Sequence, residues 1–135
     1  MRTLFICVGN VGRSQIAEGL FRKYYPHEKA LSAGIKISGP EQPIGQLMPN
    51  IKEVLDVMKE ENIDISMAKR KQLTPKMVRN SGRIIVIIDE KVELPDYLVQ
   101  SPNVFRWNIA DPKGKDLAFT RNVKNMIKEQ VRNLN

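Results

Sequence analysis

The feature that most constrains this chain is a short apolar stretch that runs directly into a glycine-bearing loop. Residues 3–18 have the sequence Thr-Leu-Phe-Ile-Cys-Val-Gly-Asn-Val-Gly-Arg-Ser-Gln-Ile-Ala-Glu. This pattern predicts a buried strand over Thr3–Cys7, a tight loop, and a helix from Ser14 that ends before Pro26. Cys7 closes the strand and Arg13 follows six positions later, which gives the spacing Cys-x5-Arg.

The loop has the composition of an anion-binding site. Gly9 and Gly12 are expected to free the backbone to curl, so that successive N–H groups point at one centre. The helix that follows adds the positive end of its dipole, and the same environment favours the thiolate form of Cys7. Arg13 supplies a planar fork that matches two phosphoryl oxygens. We therefore expect a nucleophilic cysteine beside a bound oxyanion.

Two other interpretations of the loop are open. Cys7 can be a buried structural thiol, although such a thiol needs neither the glycines nor an arginine at this spacing. The pattern Cys7-x4-Gly12-Arg13-Ser14 is also close to a nucleotide-binding phosphate loop, but cysteine replaces its first glycine and arginine replaces its lysine. Both interpretations leave key residues of the loop unexplained.

The rest of the chain predicts one α/β domain over residues 1–135. Further strands are predicted over 30–34, 83–88 and 104–107, and further helices over 49–58, 74–80 and from 117 to the end. Strands that alternate with helices through right-handed crossovers form a three-layer α/β sandwich. The loops at the carboxyl ends of the strands then share one crevice.

Composition limits the cofactors and partners. The 135 residues include one cysteine and one histidine, too few for an internal disulfide or a zinc site, so we expect no metal and no cofactor. The first apolar stretch is too short for a signal peptide or a membrane span, which predicts a cytoplasmic protein without a membrane partner. The net charge of +7 suits phosphorylated or oxyanionic substrates. The basic run Lys69–Lys71 lacks interleaved aromatic residues, which favours a solvated loop over a nucleic-acid site.

The run Cys7–Ser14, with Ala17-Glu18 after it, resembles the active-site loop of the low-molecular-weight protein tyrosine phosphatases and their arsenate reductase relatives. Three more segments resemble the family in the same order along the chain, namely Ser32-Ala33-Gly34, Ile63-Asp64-Ile65-Ser66 and Asp111-Pro112. The resemblance covers most of the chain. It implies a four-stranded parallel sheet in the order 2-1-3-4 with the phosphatase-type loop after strand 1.

The expected reaction is hydrolysis of a phosphate monoester, from a phosphorylated protein or a small aryl phosphate, through a cysteinyl-phosphate. Cys7 attacks phosphorus, Arg13 binds the equatorial oxygens, and Asp111 acts first as acid and then as base. The alternative for Asp111 is a simple turn residue. Substrate is expected to contact the loop residues Val8, Gly9, Asn10, Val11, Gly12, Arg13 and Ser14. The resemblance further implies that Asn10 and Ser32 hydrogen-bond to support the loop, and we expect Ser14 to stabilise the thiolate.

Several positions depart from the phosphatase branch of the family. The aromatic residue that walls the substrate pocket a few positions after Ser32 is absent, and Lys113-Gly114-Lys115 replaces the tyrosines after the proline. An arsenate reductase is therefore an alternative. The resemblance places the two further cysteines of the arsenate reductases near Asp89 and Leu94 of this chain. Neither residue is a cysteine, so arsenate reduction would need an external thiol.

A non-catalytic phosphate-binding module is the third hypothesis. Asp89 and Glu90 follow the strongest strand, at the edge of the sheet where the loop is expected. Either acid could therefore contact the site, but capping and solvation are the favoured roles for both.

Overall fold

The computed structural model describes residues 1–135. The strands are β1 (Arg2–Cys7), β2 (Lys29–Gly34), β3 (Arg83–Ile87) and β4 (Val104–Trp107). The α-helices are α1 (Arg13–Tyr24), α2 (Lys52–Lys59), α3 (Pro75–Arg79), α4 (Asp96–Val99) and α5 (Leu117–Arg132), and Ile44–Leu47 form a 3₁₀ helix. None of these helices combines the length and the apolar character that crossing a membrane requires.

The four strands form a single parallel sheet in the order β2-β1-β3-β4, which confirms the prediction. β1 pairs with β2 from Arg2 to Cys7, where Cys7 lies opposite Gly34. On its other side β1 pairs with β3. The connections on the two sides of β1 run to opposite edges of the sheet, so the loop after β1 lies at a topological switch point, where parallel sheets form their binding crevice.

Alternate residues of the central strands face two separate apolar layers. Phe5, Ile85 and Ile87 pack with residues of α1, α2 and α5 in a cluster of 18 buried residues. Residues of the opposite alternation, such as Leu4 and Ile84, pack with α3 and α4 in a cluster of 9. The two central strands, β1 and β3, are apolar without alternation because both of their faces are covered.

The predicted elements are present, and two short ones were not expected. Thr74 caps α3 as predicted, since its Oγ1 accepts a hydrogen bond of 3.3 Å from the Met77 N–H and Pro75 is the first helical residue. The 3₁₀ helix and α4 have four residues each. An element of this length shows no hydrophobic periodicity, so the sequence pattern predicts irregular connections there. Pro49 precedes α2 instead of opening it.

Gly34, the last residue of β2, lies directly against the loop that follows β1. A Cβ atom at this position would come within 2.8 Å of the Val8 carbonyl oxygen and 3.0 Å of the Asn10 backbone nitrogen. The residues after Gly34 also bond to this part of the chain, because the Ile35 N–H donates to the Cys7 carbonyl over 2.9 Å. The loop therefore packs directly against the backbone of Gly34. A Cβ at Gly9, by contrast, would meet nothing within 4 Å.

We predict that Gly34→Ala lowers the free energy of unfolding by about 1–3 kcal/mol, the usual cost of overpacking a close contact. The matched control is Gly9→Ala, which should change it by less than about 0.5 kcal/mol because the added methyl group meets open space. Urea unfolding followed by circular dichroism measures both. Equal destabilisation by the two substitutions would contradict the close seating of the loop on Gly34.

Candidate active site

The loop between β1 and α1 turns at a non-glycine residue. Asn10 has a φ of 55°, in the left-handed region that asparagine adopts more readily than most side chains. Gly9 and Gly12 keep negative φ, and Gly114 is the one glycine with a positive φ. The expectation that the two loop glycines supply the turn is therefore wrong. Gly12 instead allows a close approach, since a Cβ there would lie 3.4 Å from the ring of Pro112.

The side chain of Asn10 is fully buried and ties the loop to two other segments. Its Nδ2 donates to Ser14 Oγ over 2.7 Å. Its Oδ1 accepts from the backbone N–H of Lys71 over 2.8 Å and from Gln15 Nε2 over 3.2 Å. Gln15 Nε2 also lies 3.0 Å from the Lys69 carbonyl oxygen. The amide of Asn10 thus joins the loop to the start of α1 and to the basic segment.

Ser32 supports the loop only indirectly, and the expected hydrogen bond between Asn10 and Ser32 is wrong. Ser32 Oγ donates instead to Glu18 Oε1 over 2.6 Å. Glu18 lies on α1 and also forms an ion pair with Arg22. Ser32 therefore fastens β2 to α1, while the hydrogen-bonding capacity of the Asn10 amide is taken by Ser14, Gln15 and Lys71.

The backbone N–H groups of the loop are not consumed by the fold. The N–H groups of Val8, Gly9, Asn10, Val11 and Gly12 donate to no atom of the protein. A run of amide donors without partners is costly to bury and is a binding site for an anion that can accept from them. The sequence predicts N–H groups that converge on one centre, and the structure shows that these five groups have no acceptor in the protein.

Cys7 is 3% exposed and lies beside the hydroxyl of Ser14. The Cys7 Sγ and Ser14 Oγ atoms are 2.9 Å apart, within hydrogen-bonding distance. Since Ser14 Oγ already accepts from Asn10 Nδ2, its own proton is available to the sulfur. The chain from amide to hydroxyl to sulfur therefore directs a hydrogen-bond donor at Cys7.

Arg13 is 2% exposed, and part of its guanidinium is held by the protein. Nη1 donates to Glu90 Oε1 over 2.8 Å and to the Ile109 carbonyl oxygen over 2.9 Å. Nη2 donates to Glu90 Oε2 over 3.0 Å. Both Nη1 protons and one Nη2 proton are thereby used. The Nε proton and the second Nη2 proton remain, and they lie on one edge of the planar group, where a second oxyanion can bind in the same forked way.

The partner of Arg13 corrects the expectation for Glu90. Capping and solvation do not describe its role, because its carboxylate forms a two-pronged pair with the guanidinium, while Asp89 Oδ1 lies 3.8 Å from Nη1. The hydrogen bond from Arg13 lowers the pKa of Glu90 to about 2. Burial opposes the charge of Arg13, but the bond to Glu90 and the charges of Cys7, Asp111 and Glu90 outweigh it and raise the pKa of Arg13.

The two oxygens of Asp111 have different environments. Oδ1 accepts from the backbone N–H of Lys113 over 2.9 Å, which stabilises the turn. Oδ2 lies 3.8 Å from Arg13 Nη2, and the side chain is 44% exposed. Pro112 packs against Gly12 and brings this segment to the loop. The turn therefore uses only one oxygen of Asp111, and the other oxygen lies on the side of Arg13.

A cavity of about 510 Å³ connects these groups and is lined by Cys7, Arg13 and Asp111. Its apolar lining comes from the 3₁₀ helix and the start of α2, namely Leu47, Pro49, Ile51 and Val54, together with Val11 and Pro112 of the two loops. No phenylalanine, tyrosine or tryptophan lines it. The missing aromatic wall, expected from the sequence after Ser32, is therefore a property of the cavity as a whole.

The prediction that the basic run is a solvated loop holds for Lys69, which is exposed, but not for Arg70. The side chain of Arg70 is 5% exposed and lines the cavity. Burial lowers the pKa of Lys71, and the backbone of Lys69 and Lys71 holds Gln15 and Asn10. The residues that sequence reasoning missed are thus Gln15, Arg70 and Glu90. Of these three residues, only Glu90 could have been found from the sequence, because it lies shortly after a strand that pairs with β1.

Comparison with known proteins gives a consistent result. The model of the family "Low molecular weight phosphotyrosine protein phosphatase" matches residues 2–135. The probable low molecular weight protein-tyrosine-phosphatase EpsP of Ralstonia nicotianae is 32% identical over 138 residues, which covers 95% of this chain and 89% of that protein. Arsenate reductase 2 of Staphylococcus saprophyticus is 30% identical over 131 residues, which covers 95% and 91%.

A solved structure of an arsenate reductase in the phosphate binding state superposes with a TM-score of 0.81 at 26% identity, over 98% of this chain and 95% of that one. The matches thus include both a phosphatase and arsenate reductases, and they span nearly the whole chain in every case. This chain belongs to the low molecular weight phosphotyrosine protein phosphatase family.

Proposed function

We propose that the protein hydrolyses phosphate monoesters with Cys7 as the nucleophile. The observation that carries this proposal is that Cys7 is followed directly by five loop N–H groups, residues 8–12, that have no partner in the protein. The spare edge of Arg13 and the second oxygen of Asp111 open on the same cavity. A tetrahedral oxyanion bound there has its charge balanced and its phosphorus next to the thiolate.

The first step forms the bond between Cys7 Sγ and phosphorus and breaks the ester bond to the leaving oxygen. The loop N–H groups and Arg13 bind the equatorial oxygens while this happens. Asp111, in its protonated form, gives its proton to the leaving oxygen, so that an alcohol or phenol departs instead of a basic anion. The product of this step is a cysteinyl-phosphate and an Asp111 carboxylate.

The second step hydrolyses that intermediate. Asp111 accepts a proton from water while the water oxygen bonds to phosphorus and the bond between sulfur and phosphorus breaks. The electron pair returns to Cys7, where the hydroxyl of Ser14 stabilises it. Inorganic phosphate then leaves, and Asp111 is again protonated for the next cycle.

Glu90 acts in this scheme as a positioning residue for Arg13. A bidentate carboxylate on the Nη1–Nη2 edge fixes the plane of the guanidinium and leaves the Nε–Nη2 edge for substrate. Because the Ile109 carbonyl takes the remaining Nη1 proton, rotation of the group would cost three hydrogen bonds. The arginine is therefore placed before substrate arrives.

Reduction of arsenate is the second candidate function. Arsenate has the charge and shape of phosphate, and the relatives named above include arsenate reductases. Cys7 is the only cysteine of the chain, so an external thiol must attack the sulfur of a Cys7–arsenate adduct. That attack forms a mixed disulfide, and the electron pair of the broken bond reduces arsenic from As(V) to As(III).

The first prediction from the proposed function concerns activity with p-nitrophenyl phosphate. Cys7→Ser should abolish turnover, and Asp111→Asn should lower kcat by about 10²–10⁴-fold because it removes the proton donor. The matched control is Asp96→Asn, an exposed acid on α4 that should leave kcat unchanged. Steady-state release of p-nitrophenol measures all three.

Turnover that persists in Cys7→Ser would contradict the proposed nucleophile. If the wild-type protein releases no p-nitrophenol but reduces arsenate in the presence of an external thiol, the second candidate replaces the first. Binding of phosphate with neither activity would identify the protein as a binding module.

The second prediction uses the depressed pKa of Glu90. This carboxyl has a pKa of about 2 when folded, against an ordinary value of 4.5, so it stabilises the folded state fully at neutral pH. The contribution should disappear as the pH falls from about 4.5 towards about 2. The unfolding free energies of wild type and Glu90→Gln should therefore differ at pH 7 and converge in acid.

Urea titrations at pH 7, 4 and 3 measure this difference, with Glu93→Gln as an exposed control. A gap between wild type and Glu90→Gln that stays constant or widens on acidification would contradict the assignment of this ion pair.

The third prediction tests the anion site without turnover. Phosphate bound to the loop covers Cys7, so phosphate at about ten times its dissociation constant should slow alkylation of Cys7 by iodoacetamide about tenfold. Mass spectrometry of the alkylated chain measures the rate, with sodium chloride at equal ionic strength as the control. Equal rates in phosphate and chloride would show that the anion does not bind at the cysteine.

A further inference from the structure

Arg70 is a buried cation without an acidic partner. Its side chain is 5% exposed, close to the values for Arg13 and Lys124. Those two residues are paired with carboxylates, Glu90 for Arg13 and Glu61 for Lys124. Arg70 has no Asp or Glu oxygen within the 4.0 Å of an ion pair. Burial of a charge is unfavourable unless it is paired, so this position is expected to serve a purpose.

The protein satisfies only part of the Arg70 guanidinium. Nε donates to the Pro40 carbonyl oxygen over 2.8 Å, and Nη1 lies 3.5 Å from Ser38 Oγ. Nη2 donates to no atom of the protein and lies against Gly39, where there is no room for a Cβ atom. The loop of residues 38–40 thus contacts all three guanidinium nitrogens but accepts hydrogen bonds from only two of them.

Arg70 is also part of the lining of the cavity that contains Cys7. Arg70 and Ser38 line it together with the loop residues and Asp111. Two more cations that form no ion pair, Lys113 and Lys115, also line it. The acids Asp111 and Glu53 line the cavity as well, and Arg13 is paired with Glu90, so the lining cations without a paired carboxylate are Arg70, Lys113 and Lys115. A cation surrounded by low-dielectric walls favours binding of an anion.

We propose that Arg70 binds a second anionic group of the substrate, so that the enzyme prefers phosphate monoesters that also carry a carboxylate or a second phosphate. This proposal rests on the proposed function, because it takes the transferred phosphoryl group to be bound by the loop after β1. The second group accepts from the guanidinium of Arg70 and provides the counter-charge that the fold omits. The enzyme then selects its substrates by the charge of Arg70, since no aromatic side chain lines the cavity to select them by ring stacking.

The alternative is that Arg70 only fastens the loop of residues 38–40 through Pro40. The two roles differ in their dependence on the charge of the substrate. A fastening role affects all substrates alike, whereas an anion site affects only those with the second negative group. The test therefore needs two substrates with the same leaving group and different remote charge.

N-acetyl-phosphotyrosine and its C-terminal amide are such a pair, since they differ by one carboxylate and share the phenol. The wild-type protein should show a kcat/KM about tenfold higher for the acid than for the amide, as expected for one charge-assisted hydrogen bond. In Arg70→Gln this ratio should fall to within about twofold of one. Arg70→Lys keeps the charge and should retain most of the ratio. The matched control, Lys36→Gln, removes one exposed charge from the same loop region and should leave the ratio unchanged.

Calorimetric binding of both compounds to the Cys7→Ser variant separates this proposal from the proposed function. Tighter binding of the acid without turnover in the wild type would support the Arg70 site and overturn the hydrolase. Turnover of both compounds at equal kcat/KM would support the hydrolase and overturn the Arg70 site. If Arg70→Gln lowers kcat/KM for both compounds alike and leaves their ratio unchanged, Arg70 only fastens the loop and the proposal is overturned.

Discussion

The site depends on the buried amide of Asn10. A loop whose N–H groups face a ligand cannot use them to hold its own shape, so another group must supply the missing bonds. The Asn10 side chain does this by bonding to Ser14, to Gln15 and to the backbone of Lys71. These bonds leave residues 8–12 free to donate elsewhere. The conformation of the loop is therefore set by a side chain, and its chemistry by the backbone.

Charge around the loop is arranged so that a cation is fixed before any anion arrives. Arg13 is surrounded by Glu90, Asp89 and Asp111, of which Glu90 holds it by two hydrogen bonds. A carboxylate that is paired in this way does not compete for the remaining edge of the guanidinium. Arg70 is not paired with a carboxylate in this way. Its partners in the fold are the Pro40 carbonyl and the Ser38 hydroxyl. The two arginines of one cavity thus differ in how completely the protein neutralises them.

The sequence predicted the parts of the fold that depend on local patterns. The uninterrupted apolar runs at Leu4 and Ile84, the Thr74-Pro75 cap and the Cys-x5-Arg spacing were sufficient for the sheet, its helices and the position of the loop. The errors concern contacts between distant segments. Ser32 pairs with Glu18 and not with Asn10, and the basic run turns Arg70 inward. Side-chain partners of this kind depend on register and packing between segments, which no local pattern encodes.

The single thiol of this chain has a consequence for its tolerance of oxidants. A cysteine oxidised to the sulfenic acid is protected when a neighbouring thiol condenses with it to a disulfide, and Cys7 has no such neighbour in the molecule. Rescue must then come from a small thiol that reaches the sulfur through the same opening as the substrate. Without it, further oxidation to the sulfinic acid is irreversible. The burial that shields Cys7 from solvent thus also governs its repair.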